Sequence, residues 1–313
     1  MRAHIATPNS STTRVEERPT PVPGPDHVLV RVHAIALNNG DTKPIDEPGV
    51  LGFEFAGEVA AASAEGPAVG TRVMGIAEGA AAEYVVAHRR HLLAIPAGLS
   101  TVEAAALPTA LSTEYGALRR AGIAQGDSVL VTAATSGIAL QAISVARALG
   151  ASSVIGTTRR DQAVELVARA GADHVIVTSR QDLVETAHEL TGGIGVDVVL
   201  DHIAGDALGE AVQAARSGGT VISVGRLAAR TAELDLFALA RRRVTVASVS
   251  YGLTPPEIIG DLFDGVAADL MPAVANGSLR PVLDGIWNVD RLDEALDRLR
   301  DGEAEGKIVL TLR

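Results

Sequence analysis

Between residues 128 and 249, short apolar runs alternate with amphipathic ones. The blocks SVLV, SVIGT, HVIV, VDVVL, TVISV and VTVASV predict strands at 128–133, 153–157, 174–177, 196–200, 219–224 and 244–249. The 3.6-residue apolar spacing between them predicts helices at 138–149, 161–170, 181–190 and 206–216. Strands alternating with helices of about ten residues build βαβ units and a parallel sheet. Gly150, Gly171 and Gly218 stand just past three helix ends, where a terminating glycine belongs. Before residue 100 the pattern is different. Two-residue alternation predicts strands at 27–37, 52–62, 69–76 and 81–88, approached through Pro19, Pro21, Pro23 and Pro25. Helical spacing begins at Thr101. From Pro255 the chain predicts a helix, a strand in PVLDGIWNV, a helix over 290–301 and a closing strand in KIVLTL. The expected architecture is α/β: a β-rich domain, 1–108 with 255–313, and a doubly wound parallel sheet domain, 109–254.

Composition narrows the chemistry. The 313 residues are 47% hydrophobic but only 3% aromatic, so the core must be built of Ala, Val, Leu and Ile. A net charge of −11 argues against nucleic-acid or anionic-membrane partners, which need a basic face. The absence of cysteine removes disulfides, thiolate metal ligands and a cysteine nucleophile. MRAHIATPNS has no apolar signal core and no run reaches the ~18 apolar residues of a membrane span, so the expected location is the cytoplasm. His88 and His91 fall at a strand end and read as solvated loop residues, and His33 and His202 read as isolated structural ones.

The stretch TAATSGIAL, 132–140, joins the first strand of the α/β region to its helix. A dinucleotide-binding turn there usually has the frame G-x-G-x-x-G, small residues that permit a tight turn, close approach of backbone to pyrophosphate, and close helix–strand packing. The three slots hold Ala134, Ser136 and Ala139. Gly137 and Ile138 open the helix, whose N–H groups and dipole favour a phosphate. The Ser136 hydroxyl is a further phosphate donor. At the end of the second strand, where an acid would hold a ribose 2′-OH, the sequence is Thr157, Thr158, Arg159, Arg160. Hydroxyls and guanidinium groups suit a 2′-phosphate, so the expected cofactor is NADPH.

LGFEFAGEV, VGTRVMGI, AAEYVVAHRRHLLAIPAGLSTVEAAALPTALSTEYGAL, GDSVLVTAATSGIALQAISVARALGA, LTGGIGVDVVLDHIAGD, SGGTVISVG and EGKIVLTL resemble, in order and over nearly the whole chain, the medium-chain dehydrogenase/reductase superfamily, in its zinc-independent quinone oxidoreductase branch. The resemblance implies a GroES-like catalytic domain, a Rossmann domain and hydride transfer from NADPH to a quinone or an activated alkene. The positions of the catalytic zinc ligands hold Asn38, Phe53 and Thr109, a set that cannot bind zinc usefully, so no metal is expected. It further implies Thr113 near the nicotinamide, Val224 and Gly225 along the cofactor cleft, Ile203 and Ala204 beside a ribose, and Lys307 near the cofactor. Asn38 would polarise a substrate carbonyl, with Asp41 and Lys43 following in the same loop, and Phe53 and Tyr251 would line the substrate pocket. Lys43 stands where some relatives carry Tyr, which leaves the proton donor open. Glu114 departs from the small residue common after Thr113, and the segment from Asp46 to Leu51 is short. The strand at 243–252 lies at a sheet edge, where a homodimer would form. An enoyl reductase tailoring a natural product and a non-catalytic, crystallin-like member of the fold are the alternative readings.

Overall fold

The computed structural model describes residues 1–8, 10–63, 65–251 and 254–312. The chain divides into two compact units, Met1–Ala110 with Pro255–Arg313, and Leu111–Thr254.

The first unit is built on a seven-stranded sheet. His27–Ala36 buries alternate side chains and pairs antiparallel with Glu54–Ala62, Tyr84–His88 and the closing strand Lys307–Thr311. Arg72–Ile76 and Leu92–Ala94 extend it on one side, and Leu283–Asn288 lies parallel to Lys307–Thr311 on the other. A small second sheet joins Arg14–Glu17, Arg2–Ala6 and Gly49–Val50. The helical spacing from Thr101 produces two helices instead of one. Ser100 caps Thr101–Ala105 in a reciprocal box with Glu103, and the chain restarts at Pro108 for Pro108–Ala121. Proline supplies no N–H to carry a helix through that point.

The second unit has six parallel strands in the order His174–Val177, Ser153–Thr158, Ser128–Val131, Val196–Asp201, Ala215–Ser223, Thr245–Ser248. The three central strands are nearly continuous apolar runs and are buried almost throughout, as strands covered on both faces must be. The chain starts at the middle, runs outward through two strands, and returns to the other side with Val196–Asp201. The sheet's topological switch point therefore lies between Ser128–Val131 and Val196–Asp201. Helices Gly137–Ala148, Val164–Arg169, Leu183–Leu190 and Asp206–Ala214 join the strands.

Gly150 and Gly171 do follow helix ends, with φ of +99° and +107°, but Gly218 does not. It belongs to Ala215–Ser223, which begins directly after Asp206–Ala214 and shifts register against Val196–Asp201. The helix expected over 161–170 begins as a 3-10 turn, Asp161–Ala163, and Leu236–Arg242 is a helix that the apolar pattern does not announce. The edge strand is Thr245–Ser248; Gly252, the last residue of the expected strand, lies outside the described residues. His91 is buried, bonded through Nε2 to the Pro256 carbonyl and packed on His88 and Phe263, which corrects its reading as a solvated loop residue. Among the described residues, no helix is long and apolar enough to cross a membrane.

Gly156 shows how tightly the second unit is packed. A Cβ there would lie 2.4 Å from Val167 Cγ1 and 3.2 Å from the Ala134 methyl. Gly156→Ala is expected to destabilise the protein by about 1–3 kcal/mol through overpacking, read as a lower denaturant midpoint. An unchanged midpoint would mean that helix Val164–Arg169 yields freely.

Candidate active site

The turn after Ser128–Val131 divides the work of its missing glycines among other residues. Ala134 is fully buried above Gly156, so close helix–strand packing comes from a glycine on the neighbouring strand. Ser136 is the N-cap of Gly137–Ala148, and its Oγ accepts from Ala139 N at 3.3 Å. That bond uses the acceptor side of the hydroxyl and leaves its hydrogen to donate. Ala133 adopts a left-handed φ of +49°, which costs a non-glycine residue about 1–2 kcal/mol. Two bonds to the next strand hold it there: Ala133 N donates to Thr157 Oγ1 at 3.2 Å and Ala134 N to Thr157 O at 2.8 Å. Helix geometry leaves the N–H groups of Gly137 and Ile138 without intrahelical acceptors, so they are able to hold an anion.

The second strand ends as its sequence implies. Thr157 and Thr158 are buried, and Thr158 Oγ1 accepts from Arg160 N at 3.1 Å. Arg159 is exposed, and no hydrogen bond or ion pair holds its guanidinium among the described residues. Arg160 is half-buried. The nearest acid in sequence, Asp161, is paired with Arg180 at 2.8 Å.

Asp201, which sequence reasoning passed over, organises the switch point. It is completely buried at the end of Val196–Asp201. Its carboxylate accepts from Thr132 Oγ1 at 3.1 Å and from Ile203 N and Ala204 N, both at 3.0 Å. Its carbonyl accepts from Val224 N at 2.7 Å and Gly225 N at 3.1 Å. Thr132 Oγ1 also accepts from His202 N at 2.8 Å. The loops following three adjacent strands, and with them Ile203, Ala204, Val224 and Gly225, are thus tied to one residue. Gly225 is required there, because a Cβ would lie 2.3 Å from His202 O. Thr113 is half-buried on Pro108–Ala121, and Tyr251 is half-buried, its phenol pushed up to about 12 by burial and by the Glu114 charge.

In the first unit, the loop that follows His27–Ala36 meets the first residue of the closing strand. Lys307 Nζ donates to Asn38 Oδ1 and Glu54 Oε2, each at 2.6 Å. Asn38 Nδ2 donates to the same Glu54 oxygen at 2.8 Å and weakly to Ala36 O at 3.4 Å. Thr109 N donates to the other Glu54 oxygen at 2.8 Å. Lys307, Asn38 and Glu54 are all buried. The Asn38 amide, expected to be a free donor for a substrate carbonyl, is therefore committed to Glu54. Lys307 is the cation of this cluster, with two of its three N–H groups engaged. Asp41 Oδ2 accepts from Asn38 N at 2.8 Å, and burial pushes its carboxyl up to about 7 against the opposing pull of that bond and of Lys307. Lys43 is exposed and shares with Asp41 the lining of a cavity of about 300 Å³. Phe53 is half-buried against Gly40, 3.1 Å from where a Cβ of that residue would lie.

The turn, the free guanidinium and the Asp201 hub supply what a phosphate-bearing dinucleotide needs: open N–H groups, a cation and fixed strand ends. The Lys307 cluster supplies a buried cation able to meet developing negative charge.

Comparison with known proteins agrees with both halves. Residues 24–97 match the alcohol dehydrogenase GroES-like domain, and residues 137–266 match the zinc-binding dehydrogenase family. A probable oxidoreductase from Mycobacterium abscessus is 30% identical, and its structure superposes with a TM-score of 0.86, covering 100% of this chain and 99% of that one. A quinone oxidoreductase from Thermus thermophilus, whose structures include a complex with NADPH, is 27% identical with a TM-score of 0.85 and complete coverage of both chains. Quinone oxidoreductase-like protein 2 of Bos taurus is 28% identical over 311 residues, covering 95% of this chain and 88% of that one. A β-rich unit, a parallel sheet with its switch-point loops, and these relatives together make the chain a member of the medium-chain dehydrogenase/reductase superfamily, in its quinone oxidoreductase-like branch.

Proposed function

We propose that this oxidoreductase is an NADPH-dependent reductase that works without zinc and reduces a quinone or an α,β-unsaturated carbonyl. The observation that carries the reading is the Lys307 ammonium, buried between Asn38 and Glu54. Asn38 and Thr109 stand at two positions that the family resemblance aligns with zinc ligands, and both bond to Glu54. A resident cation there repels a second one and takes over its electrostatic role. The free Arg159 and the hydroxyls of Thr157 and Thr158 favour a 2′-phosphate, hence NADPH over NADH.

The bound cofactor supplies the hydride, and the protein supplies orientation and charge. Lys307 offers its remaining N–H to the carbonyl oxygen on which negative charge develops, a preorganised electrostatic contribution. Asn38 fixes the ammonium, and Glu54 balances its charge. Asp41 keeps a proton up to about pH 7 beside this cluster and is the proton source for the reduced oxygen, with Lys43 at the adjoining cavity. Among the described residues, the sheet edge at Thr245–Ser248 pairs on one side only, which suits association of two copies.

Arg159→Ala should weaken NADPH binding roughly tenfold or more while leaving NADH nearly unaffected, measured by quenching of the reduced cofactor's fluorescence. Equal effects on both cofactors would remove Arg159 from the 2′-phosphate. With 1,4-benzoquinone or an enone as acceptor and a chelator present, Lys307→Met should lower kcat by about 10²–10³. Lys307→Arg should retain more turnover, and equal rates for the two variants would refute the role of the cation.

Asp41 gives a pH signature. Its carboxyl ionises near 3.8 when unfolded and near 7 when folded, so the folded state binds the extra proton between these values. Stability conferred by that proton is lost as pH rises from about 4 to about 7. The thermal midpoint of the wild type should fall through this window relative to Asp41→Asn; parallel curves would show that Asp41 titrates normally.

A further inference from the structure

Two buried titratable groups of the second unit play no part in the reading above. Glu114, on Pro108–Ala121, is completely inaccessible, and His202, the residue after Val196–Asp201, is nearly so. His202 Nε2 and Glu114 Oε1 are 2.9 Å apart. Burial opposes a charge on the imidazole, but attraction and hydrogen bonding from the Glu114 carboxylate, together with the Asp201 charge and the Leu200 backbone, outweigh it and hold the His202 pKa above its ordinary value. Glu114 Oε2 and His202 Nδ1 are buried with no hydrogen-bond partner. A half-satisfied buried pair is a poor way to gain stability, since apolar residues of similar volume serve as well or better. What the pair is placed to do is to hold the backbone beside it.

What it positions is the turn that His202 opens. Ala204 and Gly205 both have left-handed φ, +61° and +60°, and Ala204 has no glycine's freedom to adopt it. The turn's backbone is fixed from one side by Thr132 and Asp201 and from the other by Ala228 N, which donates to Ile203 O at 2.9 Å. The helix Pro108–Ala121 reaches the residue that opens this turn through Glu114. The turn stands at the carboxyl end of a parallel strand beside the switch point, where open α/β sheets take their ligands.

We propose that Glu114 and His202 form a positioning pair that locks the turn Ile203–Gly205 in the shape that receives the dinucleotide, and so sets cofactor affinity. This rests on the reading of the second unit as an NADPH site. The pair acts through the turn and takes no part in proton or hydride movement.

The test is the dissociation constant of NADPH, measured by fluorescence quenching for the wild type, Glu114→Gln, Glu114→Ala, His202→Leu and the Glu114→Ala/His202→Leu double variant, each checked by its thermal midpoint. Glu114→Ala and His202→Leu should each weaken NADPH about tenfold, and Glu114→Gln, whose amide oxygen still accepts from Nε2, should stay within about threefold. The loss should fall on Kd and KM for NADPH rather than on kcat. The double variant should be no weaker than the singles, as expected for two residues acting as one unit. If Glu114→Ala does not fold, His202→Leu, close in volume, carries the same readout. A folded Glu114→Ala or His202→Leu that binds NADPH as the wild type does, or additive losses in the double variant, would overturn the proposal. A wild type that binds no NADPH would instead overturn the functional reading, and this inference with it.

Discussion

Asp201 uses both oxygens of its carboxylate and its backbone carbonyl on the ends of three strands. A carboxylate removed from water is costly unless its lone pairs are used, and here they accept two backbone N–H groups and a hydroxyl, while the carbonyl accepts two more. The loops after Ser128–Val131, Val196–Asp201 and Ala215–Ser223 therefore cannot shift independently. The left-handed alanine at 204 persists because Asp201 holds its N–H, and the one at 133 because Thr157 on the neighbouring strand holds it and Ala134. The turn after Ser128–Val131 needs few glycines because its shape is imposed from outside.

The first unit solves a similar problem with opposite charge. Lys307 is a cation taken out of water, compensated by Glu54 and held by Asn38, which in turn is bonded at its backbone by Asp41. Breaking such a pair from one side leaves an uncompensated buried charge, so each member constrains the others. In both units the surrounding core is mainly aliphatic, consistent with a chain that has few aromatics.

The parallel sheet was legible because strands covered on both faces must be apolar throughout, and the strand-end residues Thr158 and Arg159 follow from counting along it. Ser136 was legible as a loop residue but not as a helix cap with its acceptor already used. Arg2–Ala6 and Leu236–Arg242 escaped notice because one is short and the other exposes Leu236 and Phe237, leaving no amphipathic stripe. The partnerships were hidden for a different reason. Asn38 and Lys307 are 269 residues apart, and Glu114 and His202 are 88 apart, so no local pattern links them. Glu114 did leave one trace: it lies on the same helix stripe as Leu111 and Leu118, both fully buried, where a charge is out of place unless something answers it.

The closing strand also has a consequence for biogenesis. The second unit is one continuous segment, Leu111–Thr254, and all its strand pairings become available while the ribosome is still adding the remainder of the chain. The first unit lacks the Lys307–Thr311 strand, and with it the lysine of its buried cluster, until the whole of the second unit has been made. A nascent chain can therefore complete its parallel-sheet unit before its cationic centre can be assembled.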